Sequence, residues 1–247
     1  MKLSGARALI TGASSGIGGA TARLLARAGA RPLLTGRDAT ALAALAQETG
    51  GSALPVELGA PDAARTLADW AGEVDLLVCN AGLGWAGALD TMPMSTLDEL
   101  VEVNLAVHMR LTRLLLPAML ARGKGHLVFV SSIAGSMGVA DEAVYAGTKA
   151  GLRTFASSVR LAVAKQGIGV SVVVPGVVAT PFFARNGRTY DEAQLRAIPA
   201  QDVAKALVDA VRRNRAEVFA PAWLRFPARF YGAAPTLVHA LQRRFGQ

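Results

Sequence analysis

RALITGASSGIGGATARLLARA, residues 7–28, changes character twice along its length. Arg7–Thr11 is a short apolar run of strand type, and a helical stretch follows near Ile17–Ala28. Between them lies the turn Gly12-Ala13-Ser14-Ser15-Gly16-Ile17-Gly18. Glycine permits tight backbone geometry and close approach, and the first turn of a helix offers unpaired N–H groups that attract phosphate. A glycine cluster alone marks only a turn. Set between a first strand and a first helix, this one suits the pyrophosphate of a dinucleotide.

The same alternation continues outward. Arg31–Thr35, Ala53–Leu58, Asp75–Cys79, His126–Ser131, Gly169–Val174 and Glu217–Ala220 are further strand-like runs. Helical patterns separate them at Ala39–Thr49, Pro61–Trp70, Ser95–Met119, Val144–Lys165 and Ala200–Arg213. Pro61 suits a first helical turn, and Asp98 and Glu99 suit a helix N-terminus. Continuous apolar strands between helices need cover on both faces. The expected architecture is α/β: a doubly wound, mostly parallel, seven-stranded sheet with helices on both faces. A chain of 247 residues fits one domain, 1–247, with 180–199 as a substrate-side loop region and 221–247 as a basic, aromatic extension.

Composition narrows the classes. Apolar residues make up 52% of the chain and charged residues 18%, yet no uninterrupted run approaches the roughly 18 apolar residues of a membrane span. The N-terminus lacks a secretory core, and the single Cys79 fits a reducing compartment, so a cytoplasmic protein is expected. His108, His126 and His239 lie far apart without metal-ligand spacing, so no metal site is expected.

A second constellation carries chemistry. Tyr145 and Lys149 stand four apart, on one face if a helix is there, and Ser132 precedes Tyr145 by thirteen positions. A phenol beside an ammonium can be tuned toward proton transfer near neutral pH, and a strand-end hydroxyl could polarise a carbonyl. Further segments fall into order around these residues. The first turn is T-G-x-x-x-G-x-G, Cys79-Asn80-Ala81-Gly82 follows the fourth strand, Asn104 sits in the long helical pattern, and Pro175-Gly176-Val177-Val178-Ala179-Thr180 follows the sixth strand. In this order and spacing, over roughly residues 4–220, the chain resembles the short-chain dehydrogenase/reductase family.

That resemblance implies a Rossmann-like fold and hydride transfer between a nicotinamide and a carbonyl or hydroxyl carbon. It implies Tyr145 as general acid/base and Lys149 as the group that lowers its pKa and binds the nicotinamide ribose. Ser132 would bind the substrate oxygen, and Asn104 would support a water linking Lys149 to solvent. The cofactor would meet Gly12, Ser14, Ser15, Gly16, Ile17 and Gly18 at the loop. Asn80, Ala81 and Gly82 would contact it further along, and Pro175, Gly176, Val178 and Thr180 on the nicotinamide side. Glu57 would lie near adenine. At the end of the second strand, where NAD-binding versions place an acid, stand Gly36 and Arg37. Arginine makes bidentate, charge-assisted contacts with phosphate, which favours NADP(H) over NAD(H). The alternative is that Arg37 only caps a solvent-facing turn.

The substrate pocket is expected from Gly82–Leu89, Ile133–Tyr145 and Val177–Tyr190, with Trp85, Met137, Phe182, Phe183 and Tyr190 in them, Met92 just beyond the first, and Asp141 and Glu142 as nearby acids. Such a lining suits a lipophilic ketone, aldehyde or secondary alcohol. Arg185 and Arg188 could meet an acidic substrate. An intact Ser132–Tyr145–Lys149 set with Asn104 argues against the alternative, a non-catalytic NADP(H)-binding regulatory or scaffold protein.

The net charge of +8 is uneven: residues 212–247 contain seven arginines and one acid, Glu217, together with six of the fourteen aromatics. No reading element accompanies this charge, so no nucleic-acid partner is expected. The tail suits peripheral contact with the inner face of an anionic membrane, a lid over the pocket, or a subunit contact. Within it, Pro235–Phe245 looks helical, with Leu237, Leu241 and Phe245 on one side and Arg243 and Arg244 near its end. The long helical patterns resemble those through which the family forms homodimers or homotetramers.

Overall fold

In the computed structural model, which describes residues 1–182 and 197–238, the apolar runs form parallel strands. These are β1 (Arg7–Thr11), β2 (Arg31–Gly36), β3 (Ser52–Pro55), β4 (Leu76–Cys79), β5 (Gly125–Val130) and β6 (Ile168–Pro175), with a small pair β7 (Val178–Ala179) and β8 (Ile198–Pro199), and finally β9 (Glu217–Ala220). The main sheet runs β3-β2-β1-β4-β5-β6-β9 with every neighbouring pair parallel. Strand order reverses beside β1, between β1 and β4. At such a switch point the loops leaving neighbouring strands diverge to opposite faces and open a crevice at the carboxyl ends.

Both sheet faces are buried, which explains the continuous apolar strands. On one face Ala8, Ile10, Leu76, Val78 and Val128 pack against α1 (Gly16–Arg27), α2 (Ala39–Thr49) and α7 (Ala200–Arg213). On the other, Leu9, Leu77, Leu127 and Phe129 pack against α3 (Ala63–Ala71), α5 (Val107–Arg122) and α6 (Ala143–Ala162), with α4 (Met94–Val101) beside α6. Asp38 caps α2 by accepting the Ala41 N–H at 2.9 Å, and Gly50 ends that helix with φ +63°.

Several boundaries differ from the sequence reading. Helix α3 begins after Pro61 rather than at it, and β3 ends at Pro55. The single helix expected over Ser95–Met119 is broken by a π-helical turn, Glu102–Ala106, between α4 and α5. Such turns widen the backbone and often mark functional positions. The pair β7–β8 is too short to leave a periodic signal. The tail forms α8 (Arg225–Ala233) ahead of the expected helix, with Pro227 tolerated in its first turn. Expectations for Phe183, Arg185, Arg188, Tyr190, Leu241, Arg243, Arg244 and Phe245 lie outside the described residues.

Candidate active site

The loop after β1 owes its shape to the strand beside it. Gly12 has φ +65°, and a Cβ there would stand 2.9 Å from the Ala81 Cα. A Cβ on Gly18 would stand 2.2 Å from the Gly12 carbonyl oxygen, so only glycine fits at that place. Asn80 braces the loop: its side-chain amide donates to the Thr11 and Gly12 carbonyls at 2.9 and 3.2 Å. The Thr11 hydroxyl in turn accepts the Asn80 and Ala81 N–H groups at 2.9 and 3.0 Å. Ser15, the residue before α1, makes no capping bond with its side chain. The first turn of α1 therefore meets the cavity without a side-chain acceptor of its own, an arrangement that fits an anion.

A cavity of about 630 Å³ runs from the ends of β2 and β3 to the start of α6. Gly12, Ser14, Ser15, Gly16 and Ile17 line it, whereas Gly18 stands behind the loop as a packing residue. At one end lie Arg37 and Glu57, with Arg37 Nε 4.0 Å from Glu57 Oε2 and both side chains about half exposed. A pair that long and that wet holds its arginine weakly, so the guanidinium can re-pair with an incoming phosphate. Asp38, not Arg37, caps the following helix.

At the other end, β5 delivers two serines with different tasks. The Ser131 hydroxyl donates to the Lys149 carbonyl at 2.8 Å and ties β5 to α6. The Ser132 hydroxyl accepts the Ala134 N–H at 3.2 Å, which leaves its own proton to give to a ligand in the cavity. Tyr145 and Lys149 also line the cavity. Lys149 is 3% exposed, and its ammonium donates to the Val130 carbonyl at 3.2 Å and lies 5.8 Å from the centre of the Tyr145 ring. Burial brings its pKa down to about 8.

Asn104 sits in the π-helical turn, fully buried. Its oxygen accepts the Leu83 N–H at 2.7 Å, and its amide donates to the Leu83 carbonyl at 2.9 Å and to Thr148 Oγ1 at 3.2 Å. Thr148 donates onward to the Tyr145 carbonyl at 2.8 Å. The asparagine thus braces the segment after β4 against the helix turn that carries Tyr145 and Lys149. Buried His108 approaches the Ala81 carbonyl at 3.0 Å, and burial lowers its pKa to about 4, so it stays neutral and donates there. Thr148 and His108 carry no signal of their own in sequence, because the bonds to Asn104 and Ala81 that define their roles come from distant segments.

Asn80, Ala81, Gly82, Pro175, Gly176, Val178 and Thr180 all line the same cavity. Its outer part is built from Leu83, Ile133, Val139, Val177 and Phe182, with Glu142 as an acid among them. The Phe182 ring centre lies 5.8 Å from that of Tyr145. Trp85, Met92, Met137 and Asp141 are not among the lining residues. Trp85 instead folds over Gly87, and Asp141 takes φ +61° in a turn whose carbonyl accepts the Gly87 N–H at 2.9 Å. Asp38, Val56, Leu58 and Val103 line the cavity although nothing local in their sequence marks them.

A family profile described as short chain dehydrogenase matches residues 6–191. The chain is 32% identical to the ketoacyl reductase HetN of Nostoc sp., across 87% of its own length and 78% of that protein's. A short-chain dehydrogenase from Sphingobium yanoikuyae in complex with NADPH has a TM-score of 0.83 at 26% identity, over 95% of each chain. A short-chain dehydrogenase/reductase from Burkholderia phymatum in complex with NAD has a similar fold, with a TM-score of 0.85 at 24% identity over 96% of each chain. Those two structures hold different nicotinamide cofactors.

Proposed function

The chain belongs to the short-chain dehydrogenase/reductase family and is an oxidoreductase of the nicotinamide-dependent kind, and we propose that it couples NADP(H) to a lipophilic ketone or aldehyde and its secondary or primary alcohol. One observation carries this reading: the buried Lys149 ammonium beside Tyr145 shares a single cavity with the glycine loop. The loop Gly12–Ile17, backed by Gly18, and the uncapped start of α1 would hold the pyrophosphate. Arg37 and Glu57 would face the adenosine end, while Asn80–Gly82, Pro175, Gly176, Val178 and Thr180 would line the nicotinamide end. The nicotinamide supplies or accepts the hydride.

In the reducing direction, the Tyr145 hydroxyl gives its proton to the substrate oxygen, on which negative charge grows. Ser132 donates a hydrogen bond to the same oxygen. Lys149 stabilises the phenolate left behind and presents ammonium protons to ribose hydroxyls. Asn104 acts by position, holding Leu83 and, through Thr148, the first turns of α6. The apolar outer wall of Leu83, Ile133, Val139 and Phe182 supports a lipophilic substrate. The ketoacyl chemistry named for the Nostoc relative is compatible with that wall. A homodimer or homotetramer through α5 and α6 would cover outward groups such as Leu161, now 78% exposed.

The test is NADPH consumption by the purified chain with a panel of ketones, aldehydes and quinones, alongside alcohols with NADP+. Tight NADPH binding with no turnover across the panel would replace this reading with a nucleotide-binding role. The Arg37 assignment has its own measurement. Arg37→Asp is expected to raise KM for NADPH roughly 10–100-fold, as loss of a charge-assisted phosphate contact implies. KM for NADH should change little. Equal changes for the two cofactors would remove Arg37 from phosphate recognition.

A further inference from the structure

Helix α8 has two faces of different chemistry. Leu224, just before it, and Ala228 are buried, with Pro227 and Tyr231 half-buried on the same body-facing side. Leu224 lies against the segment after β6, where a Cβ on Gly176 would meet its Cδ1 at 2.7 Å. Tyr231 Oη lies 3.8 Å from the Cβ position of Gly138, next to cavity-lining Val139. These contacts seat α8 beside the rim of the catalytic cavity.

The other face is unpartnered in the described chain and strongly apolar. Trp223, Phe226 and Phe230 are 61%, 61% and 49% exposed, at the three- and four-residue steps that share one side of a helix. Leu237 further along is 52% exposed. Arg225 and Arg229, four apart, flank the aromatic strip, and the Arg225 guanidinium stands 4.7 Å over the Phe226 ring. Residues 218–238 contain these two arginines and no acid.

That charge pattern selects the occupant. A second copy meeting this face by two-fold symmetry would set arginine against arginine, with no carboxylate on the strip to relieve it. An anionic bilayer surface offers headgroup charge to the arginines and an apolar boundary to the rings, the environment in which amphipathic helices lie flat. None of the described helices is long and apolar enough to cross a membrane, so the contact is peripheral. We propose that the outer face of α8 docks on an anionic lipid surface, placing the cavity rim next to the membrane.

The experiment is cosedimentation of the full chain with vesicles of phosphatidylcholine, with and without phosphatidylglycerol. Binding is expected only to the vesicles containing phosphatidylglycerol, at low salt, and should weaken as salt rises. Phe226→Glu combined with Phe230→Glu should reduce partitioning on the order of tenfold or more, with molar mass and melting temperature unchanged. Arg225→Gln and Arg229→Gln should each reduce it roughly fivefold. Failure of the wild-type chain to bind at low salt would overturn the proposal, as would wild-type binding by the double glutamate variant. A change of molar mass in that variant would overturn it in favour of a contact between copies. None of these readouts depends on turnover.

Discussion

Tyr145→Phe is expected to lose turnover by ~10²–10⁴-fold while binding NADPH as tightly as the wild type. The substitution is unusually clean at this position. Phenylalanine keeps the ring whose centre lies 5.8 Å from the Lys149 ammonium and 5.8 Å from the Phe182 ring, so packing and the cation–ring contact persist. The Tyr145 carbonyl still accepts from Thr148 at 2.8 Å, because that bond uses backbone. Only the proton and its oxygen are lost. The signature is a fall in kcat with little change in the dissociation constant for NADPH, read by fluorescence titration. Turnover within about threefold of wild type would show that another group supplies the proton.

The parts of this site legible in sequence are those governed by local rules. The glycine loop could be read because its residues are consecutive and lie between a strand and a helix. Tyr145 and Lys149 could be read because helical spacing is short and fixed. Even so, the local pattern placed Gly18 with the loop residues that line the cavity, whereas the nearby Gly12 carbonyl and Asn80 side chain make it a packing residue. What stayed hidden depends on segments far apart in the chain. The division of labour between Ser131 and Ser132 emerges only when β5 meets the Lys149 backbone. The break in the long helix is tied to the Asn104 bonds to Leu83, across twenty-one positions. Trp85 was expected in the substrate wall but folds over Gly87, because side-chain type alone does not say which way a loop turns. For α8, aromatic and arginine composition left a membrane contact, a lid and a subunit contact open, and burial was needed to separate its inner residues from its outer ones.

Lys149→Met is expected to abolish catalysis to a similar degree, ~10²–10⁴-fold, yet to make the protein more stable at neutral pH. The cause is the same in both cases. Lys149 is 3% exposed, and its ammonium makes one described protein hydrogen bond, to Val130. Its charged form is therefore held at a cost, which burial expresses as a pKa near 8 in place of 10.5. Below about pH 8 that cost is fully present. Between about 8 and 10.5 the unfolded chain binds the proton that the folded chain has released, so this group makes stability rise with pH. The interval corresponds to roughly 3 kcal/mol at most. Methionine, of similar length and no charge, removes the cost, and a gain of about 1–3 kcal/mol at pH 7 follows. Cys79 acts with the opposite sign: burial raises its pKa, so stability falls as pH passes the ordinary thiol range. Both proteins retain Cys79, so the burial of its thiol is common to both, although the Lys149 charge also acts on that thiol in the wild type alone. The difference between their stability profiles should be largest at pH 7 and shrink toward pH 10, measured by chemical denaturation. A variant less stable than wild type at pH 7 would mean that Lys149 serves the fold, and would remove the reason for treating its burial as the expense of a proton-transfer site.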